Sequence, residues 1–334
     1  MTGYTVADRS AWASTVQGYR PIAQILPAHW RQQTVYANGI RHGYYRTGGD
    51  KPAVVLLHGL LDGALTWLRT ARALEADYDV VLVGRSDRVA ATFTQALLNE
   101  DAAGVIRVLR LGKPRLLGHS QGGATGIHVA AAYPNLVHSL IVEGWGIEAP
   151  AQPNQVDLSK SPGYLAWYNA YLAWLEQLAT QTHVERMVAT LAQLPPGAPL
   201  PDEESYVTWV ETCARLDLEL VRHSMSLWAN VQTRGRAMVE ALGQTTCPVL
   251  IMKSAMFPQR GAPQFVQEEA SSQPNVRILR FENTGHVIHG EQFDQFIAAV
   301  RTFFQSNENP PLNAEVIWTS PSPNKNAPSI TAWA

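Results

Sequence analysis

The chain has 334 residues, long enough for one large domain with an insertion or for two modest domains, and for a substantial core without covalent staples. Lys plus Arg number 26 and Asp plus Glu 28, a net charge of −2 that leaves no basic face for nucleic acid and no acidic tail. The two cysteines, Cys213 and Cys247, lie far apart and in no Cys/His cluster, so they read as reduced thiols, with neither a structural metal nor a disulfide framework. The N-terminus lacks a basic start followed by an apolar run, and no segment approaches the ~20 apolar residues of a membrane span. A cytoplasmic protein with no membrane partner is the expectation.

Residues 1–33 form an N-terminal extension whose Trp12, Tyr19 and Trp30 are expected to pack on the body. Strands over 34–37 and 40–45 flank Asn38 and Gly39, the residue pair that a tight hairpin turn favours. An alternation follows: a strand at 53–57, a helix near 63–76, a strand at 80–83, a helix near 94–111, an apolar run at 114–117, a helix near 121–133 and a strand at 140–142. Continuous apolar strands alternating with helices imply a mostly parallel sheet covered on both faces. From 145 to 244 the pattern turns helical and aromatic-rich, with Trp145, Trp167, Trp174, Trp209 and Trp228, and reads as an inserted cap. Sheet character returns at 248–252 and 276–281, and a last helix is expected near 291–305, so the core comprises 34–144 and 245–305. Residues 306–334 are rich in Pro, Asn and Ser and read as an extended tail, whose Trp318 and Trp333 could dock on the body or on a second copy in a homodimer.

Gly118-His119-Ser120-Gln121-Gly122 stands where the run at 114–117 gives way to a small-residue helical stretch. Gly-x-Ser-x-Gly between a strand and a helix is the nucleophile elbow, in which glycine-sized neighbours let strand and helix approach around a strained serine. A serine hydroxyl needs an adjacent base, and His286 lies directly after the last strand, in a loop at the same sheet edge as Ser120. His289 competes with it but is expected to begin the final helix. The usual place for an acid, after the strand at 249–252, holds none: no Asp or Glu occurs between Cys247 and Glu268. Glu143 ends the strand after the elbow and is the candidate to hold the His286 tautomer and stabilise its imidazolium. His58 and Gly59 follow the first parallel strand, where the backbone N–H groups of Leu60 and Gln121 are expected to form an oxyanion hole. Leu61, Trp67 and Trp145 are the candidate substrate-lining residues, with Trp67 also readable as helix core. Asp62 lies near the same turn.

These residues together resemble the α/β-hydrolase superfamily: the His-Gly turn at 58–59, the elbow at 118–122 and the Gly285-His286 loop, in the order Ser, acid, His. The resemblance covers 34–144 and 245–305 and implies a mostly parallel sheet flanked by helices with an inserted helical cap. It further implies ester-type hydrolysis through an acyl-enzyme on Ser120, with no cofactor and a small apolar ester or lactone as the partner. Superfamily members with the acid after the strand following the elbow include certain lactonases, some acting on macrocyclic fungal lactones.

The sequence departs from the superfamily pattern after the strand at 80–83. An Asp-x-Arg-Gly-His-Gly-x-Ser loop is common there, whereas Val83 runs directly into Gly84-Arg85-Ser86-Asp87-Arg88, about five residues shorter. That shortening is expected to loosen the His58 turn or open a wall of the site. Other chemistries share the scaffold. A cofactor-independent oxygenase or a lyase needs no acylated serine, a halide-displacing enzyme needs Asp at the elbow, and a decayed homologue keeps only ligand binding.

Overall fold

The computed structural model describes residues 6–87, 93–144, 162–194, 200–228, 231–254, 273–281 and 284–307. Its centre is an eight-stranded sheet with the order β1-β2-β4-β3-β5-β6-β7-β8. The strands are β1 (Arg31–Ala37), β2 (Ile40–Arg46), β3 (Ala53–Leu57), β4 (Asp79–Ser86), β5 (Arg115–His119), β6 (Ser139–Glu143), β7 (Val249–Ser254) and β8 (Val276–Phe281). β1 and β2 form the expected hairpin, and Asn38 (φ 50) and Gly39 (φ 73) take the two positive φ angles that its tight turn requires. From β4 to β8 every neighbouring pair is parallel, so consecutive strands are joined by crossovers that cover both faces.

The apolar run of β5 and β6 is buried at every position, which is why neither strand shows alternation in sequence. On one face, α3 (Leu68–Leu74) and α12 (Phe293–Ser306) join a core built on Trp67, Leu68, Leu74, Phe296 and Phe304. On the other, α4 (Gln95–Val108), α5 (Gln121–Ala132) and α10 (Val231–Gly243) bury Ile106, Ile127 and Met238 against Val55, Leu116 and Val142. The sequence reading assigned α10 to the cap; it instead packs on α5 as a sheet-covering helix, because its apolar positions Met238, Ala241 and Leu242 complete that second core.

Helices α6 (Pro162–Thr180), α7 (His183–Thr190), α8 (Glu203–Cys213) and α9 (Leu218–Trp228) lie between β6 and α10. Leu172, Trp174, Leu175, Leu178 and Val221 form a small core of their own, against which Leu60 and Leu61 pack. The N-terminal helices α1 (Val6–Gln17) and α2 (Ile22–Ile25) lie on α7 and α8; Val16 and Trp30 are buried, and Trp12 and Tyr19 pack partly buried on the same core, so the three aromatics sit on the body as the sequence suggests. His183 ties the two parts together: Nδ1 is 3.0 Å from Glu211 and Nε2 is 2.9 Å from the Tyr19 carbonyl oxygen. Trp145, Trp318 and Trp333 lie outside the described residues, as does the tail beyond 307. Neither cysteine forms a disulfide, and both are buried. Among the described residues no helix is long and apolar enough to cross a membrane.

Candidate active site

Ser120 joins β5 to α5 with φ 50 and ψ −114, a region that residues with a side chain rarely enter. Such a residue stores about 1–3 kcal/mol and persists only where its surroundings fix it. Here its N–H donates to the Glu143 carbonyl at 2.8 Å and its carbonyl accepts the Ala124 N–H at 3.0 Å. The glycines on either side are obligatory. A Cβ on Gly118 would stand 2.4 Å from the Gly122 carbonyl carbon, and one on Gly122 would stand 2.1 Å from the Leu57 oxygen. Helix α5 can therefore start directly against the ends of β3 and β5, which places its first N–H groups, beginning with Gln121, at the sheet edge.

Register carries the acid to the same place. His119 pairs with Glu143 across β5 and β6, so the carboxylate stands at the C-terminal sheet edge one residue from Ser120. Glu143 is fully buried. Burial opposes its charge, but the charge and hydrogen bonds of His289 outweigh that cost and hold its carboxyl below the usual carboxylate range.

The expected pairing of Glu143 with His286 is not what the structure shows. A short helix, α11 (Ile288–Glu291), begins three residues earlier than the sequence pattern suggests and turns His289 toward the end of β6. The Glu143 carboxylate accepts from the His289 backbone N–H at 2.7 Å and from its Nδ1 at 2.8 Å. The other side of that ring lies against Trp67, with centroids 4.4 Å apart.

His286 stands three residues before, partly exposed, in the loop between β8 and α11. Glu291 closes this loop by accepting the Gly285 N–H at 2.8 Å. The His286 carbonyl oxygen accepts from Nε2 of His119 at 3.2 Å, and the two rings are 4.7 Å apart. Burial and the His119 charge push the His286 imidazole down to about 3, so it rests in its neutral, proton-accepting form.

Leu60 and Gln121 both line a cavity of about 100 Å³, together with His42, His58, Phe93 and Leu220. Residues 84–86 do not form a loop but extend β4, where Ser86 pairs with His42 and Asp87 bridges to Arg41 at 2.9 Å. Val83, Gly84 and Ser86 line the cavity. Of the candidate substrate-lining residues, Leu61 packs toward the cap core, whereas Trp67 is fully buried and serves as core and as a wall for His289. Of the two readings the sequence offers for Trp67, helix core and substrate lining, the structure bears out helix core and does not place it at the cavity. Among the described residues, no group of three or more His, Cys, Asp or Glu side chains is placed to hold a metal ion.

A positive-φ serine at a strand-to-helix turn, with a buried carboxylate and two histidines at one sheet edge, defines the serine-elbow class of α/β proteins. Residues 52–293 match the family model of the alpha/beta hydrolase fold, and the chain belongs to that family.

Among curated relatives, it is 36 % identical over 123 residues to a 2-hydroxy-6-oxononadienedioate/2-hydroxy-6-oxononatrienedioate hydrolase of Burkholderia vietnamiensis, a stretch covering 34 % of this chain and 43 % of that one. The match thus spans less than half of that relative. A hydrolase of the same name from Dechloromonas aromatica is 25 % identical over 280 residues, covering 78 % of this chain and 89 % of the other. Among solved structures, an epoxide hydrolase from Vigna radiata superposes with a TM-score of 0.62 at 16 % identity, over 83 % of this chain and 99 % of that one. A membrane phospholipase A gives a TM-score of 0.62 at 18 % identity, over 91 % and 92 %. At such identities these two likenesses speak for the fold alone.

Proposed function

We propose that the protein is a serine hydrolase that cleaves an uncharged, moderately apolar carboxylic ester or lactone through an acyl-enzyme on Ser120. The observation that carries this reading is the positive-φ backbone of Ser120 between two glycines that no larger residue can replace. Ser120 Oγ attacks the carbonyl carbon while His286 takes its proton, and the amides of Leu60 and Gln121 stabilise the oxyanion. The imidazolium returns the proton to the departing alkoxide, and water, activated by the same ring, then hydrolyses the acyl-enzyme. His286 is assigned as base from its place on the loop after β8, at the sheet edge that holds Ser120; the Glu143 bond to Nδ1 of His289 is the contact a triad acid makes with its base, and it carries the second reading, with His289 as base. Glu143 acts through its charge, which favours the His286 imidazolium as it forms. The cavity adjoins the elbow through Gln121 and Gly122 without being lined by Ser120 or His286 themselves, and Leu60, Phe93, Leu98 and Leu220 on its wall favour an uncharged acyl or alcohol group beside the nucleophile. The hydrolase names of the relatives support hydrolysis over oxygenation or lyase chemistry.

A second reading makes His289 the base, favoured by its direct bond to the Glu143 carboxylate. The function is tested by steady-state turnover of aryl esters and of lactones of graded ring size, with wild type beside Ser120→Ala. Turnover that vanishes in the variant supports the reading; equal turnover by a folded Ser120→Ala protein rejects it.

A further inference from the structure

His119 occupies the unspecified position of the elbow motif, yet it is 3 % exposed and among the most heavily bonded side chains of the site. Its Nδ1 lies 3.1 Å from the Asp62 carboxylate and its Nε2 lies 3.2 Å from the His286 carbonyl oxygen. A carbonyl oxygen and a carboxylate oxygen only accept, so both contacts are hydrogen bonds only if both ring nitrogens carry protons. The space for this ring is built by two glycines. A Cβ on Gly59 would stand 2.9 Å from Nδ1, and one on Gly144 would stand 3.0 Å from Cδ2 and 2.4 Å from the His286 oxygen.

The three segments it touches are those the reaction needs. Asp62 belongs to the turn that presents Leu60, His119 precedes Ser120, and His286 is in the base loop. We propose that His119 is a buried imidazolium that acts as a positioning residue, tying the oxyanion turn to the base loop and keeping the His286 ring neutral at rest. This rests on the serine-hydrolase reading for its consequence in turnover, but not for its charge state.

The charged and titratable groups facing the ring support the assignment. Asp62 and Glu143 are the two carboxylates around it, and His286 and His289 are the rings beside it, with centroids 4.7 and 5.4 Å away. Burial disfavours the charge on His119, but the Asp62 bond, both carboxylates and the His286 carbonyl outweigh it and raise the ring above the ordinary imidazole range. Burial likewise opposes ionisation of Asp62, which His119, with His289 and His58 further off, nevertheless holds well below the usual carboxylate range.

The experiment is ring-nitrogen NMR of the whole [15N]histidine-labelled protein from pH 6 to 8.5, with Asp62→Asn and His119→Gln for assignment. One histidine, absent from His119→Gln, is expected to keep protons on both nitrogens at pH 8, and to revert to a neutral tautomer pattern in Asp62→Asn. A neutral wild-type His119 at pH 7 overturns the proposal, whether or not the protein hydrolyses esters. In turnover, His119→Gln is expected to move the acid limb of kcat/KM to higher pH by at least one unit, because a like charge beside His286 is gone. An unmoved limb in an active, folded variant overturns the coupling. If no substrate is turned over even by wild type, the hydrolase reading fails while the NMR result still decides the charge of His119.

Discussion

Glu143 and His289 form the tightest acid–histidine contact at the sheet edge, with Nδ1 2.8 Å from one carboxylate oxygen and 2.9 Å from the other. Both residues are buried, so the pair is held by the strand end and the first turn of α11 rather than by solvent-exposed side chains. His286 stands on the loop that leads into that turn, its carbonyl bonded to His119, while the Glu143 carboxylate bonds His289.

This arrangement separates two variants. His286→Ala is expected to lower kcat by about 10³–10⁴-fold, the usual cost of removing a base or triad member, with little change in Tm. His289→Ala leaves Glu143 buried without its partner and is expected to cost on the order of 3–5 kcal/mol of stability. Urea unfolding beside steady-state kinetics reads both. If His289→Ala removes turnover while keeping stability, and His286→Ala stays active, the base is His289.

The pH dependence follows from the direction of the His286 shift. A base works in its neutral form, and a ring pushed down to about 3 is still neutral at pH 5. The acid limb of kcat/KM should therefore lie well below the ~6.5 of an ordinary imidazole. Initial rates over pH 4.5–8 test this, and a limb centred near an unperturbed histidine contradicts it. Stability is the control at the low end. Asp62 and Glu143 have depressed folded pKa values, so the stability they contribute is present above their unfolded values near 4 and drains away as pH falls further.

Backbone space gives a sharper result at the elbow. Gly122→Ala puts a carbon 2.1 Å from a β3 carbonyl oxygen, and neither the strand nor the helix start can move without breaking the sheet edge. A loss of ~3 kcal/mol or more is expected from strain of this kind. Gly112→Ala is the comparison, since a Cβ there meets nothing within 4 Å and its cost is confined to the positive φ of 66°. Thermal melts of both variants should rank Gly122→Ala far below Gly112→Ala; equal melting temperatures contradict the packing account.

Glu211 braces the cap side of the junction with the extension: it lies 3.0 Å from His183 Nδ1 and accepts from Arg186 at 3.2 Å and Arg215 at 3.3 Å, while His183 Nε2 lies 2.9 Å from the Tyr19 carbonyl oxygen of the extension. Glu211→Ala leaves the partly buried Arg186 guanidinium without its carboxylate and should destabilise by about 2–4 kcal/mol. Limited proteolysis should then cleave first near residues 18–21, where the extension meets α7. Unchanged protection there would show that the Arg20–Glu203 pair, the Tyr19 bond to the Pro201 carbonyl and the burial of Val16 and Trp30 hold the extension without Glu211.

Much of this was legible in the chain. The hairpin at Asn38-Gly39, the parallel strands and the elbow are local patterns in which propensity, turn chemistry and burial agree. The place of Glu143 at the sheet edge was readable because it ends the strand that follows the elbow. What was not legible depended on contacts between distant segments. His289 met Glu143 through an early helical turn that carries no capping residue, since its preceding residue Val287 makes no side-chain cap. His119 looked like filler in a motif, and its importance came only from Asp62 and the His286 carbonyl, 57 and 167 residues away. Helix α10 was assigned to the cap because an amphipathic helix does not announce which surface it covers.

The central claim is that Ser120 is an activated nucleophile, and active-site labelling tests it most directly. Wild type, Ser120→Ala and Glu143→Gln are treated with a fluorophosphonate and the modified peptide is identified by mass. The account predicts one adduct, on Ser120, that is absent in Ser120→Ala and slower by at least tenfold in Glu143→Gln. Folded wild-type protein that stays unlabelled, or carries the label elsewhere, would contradict it.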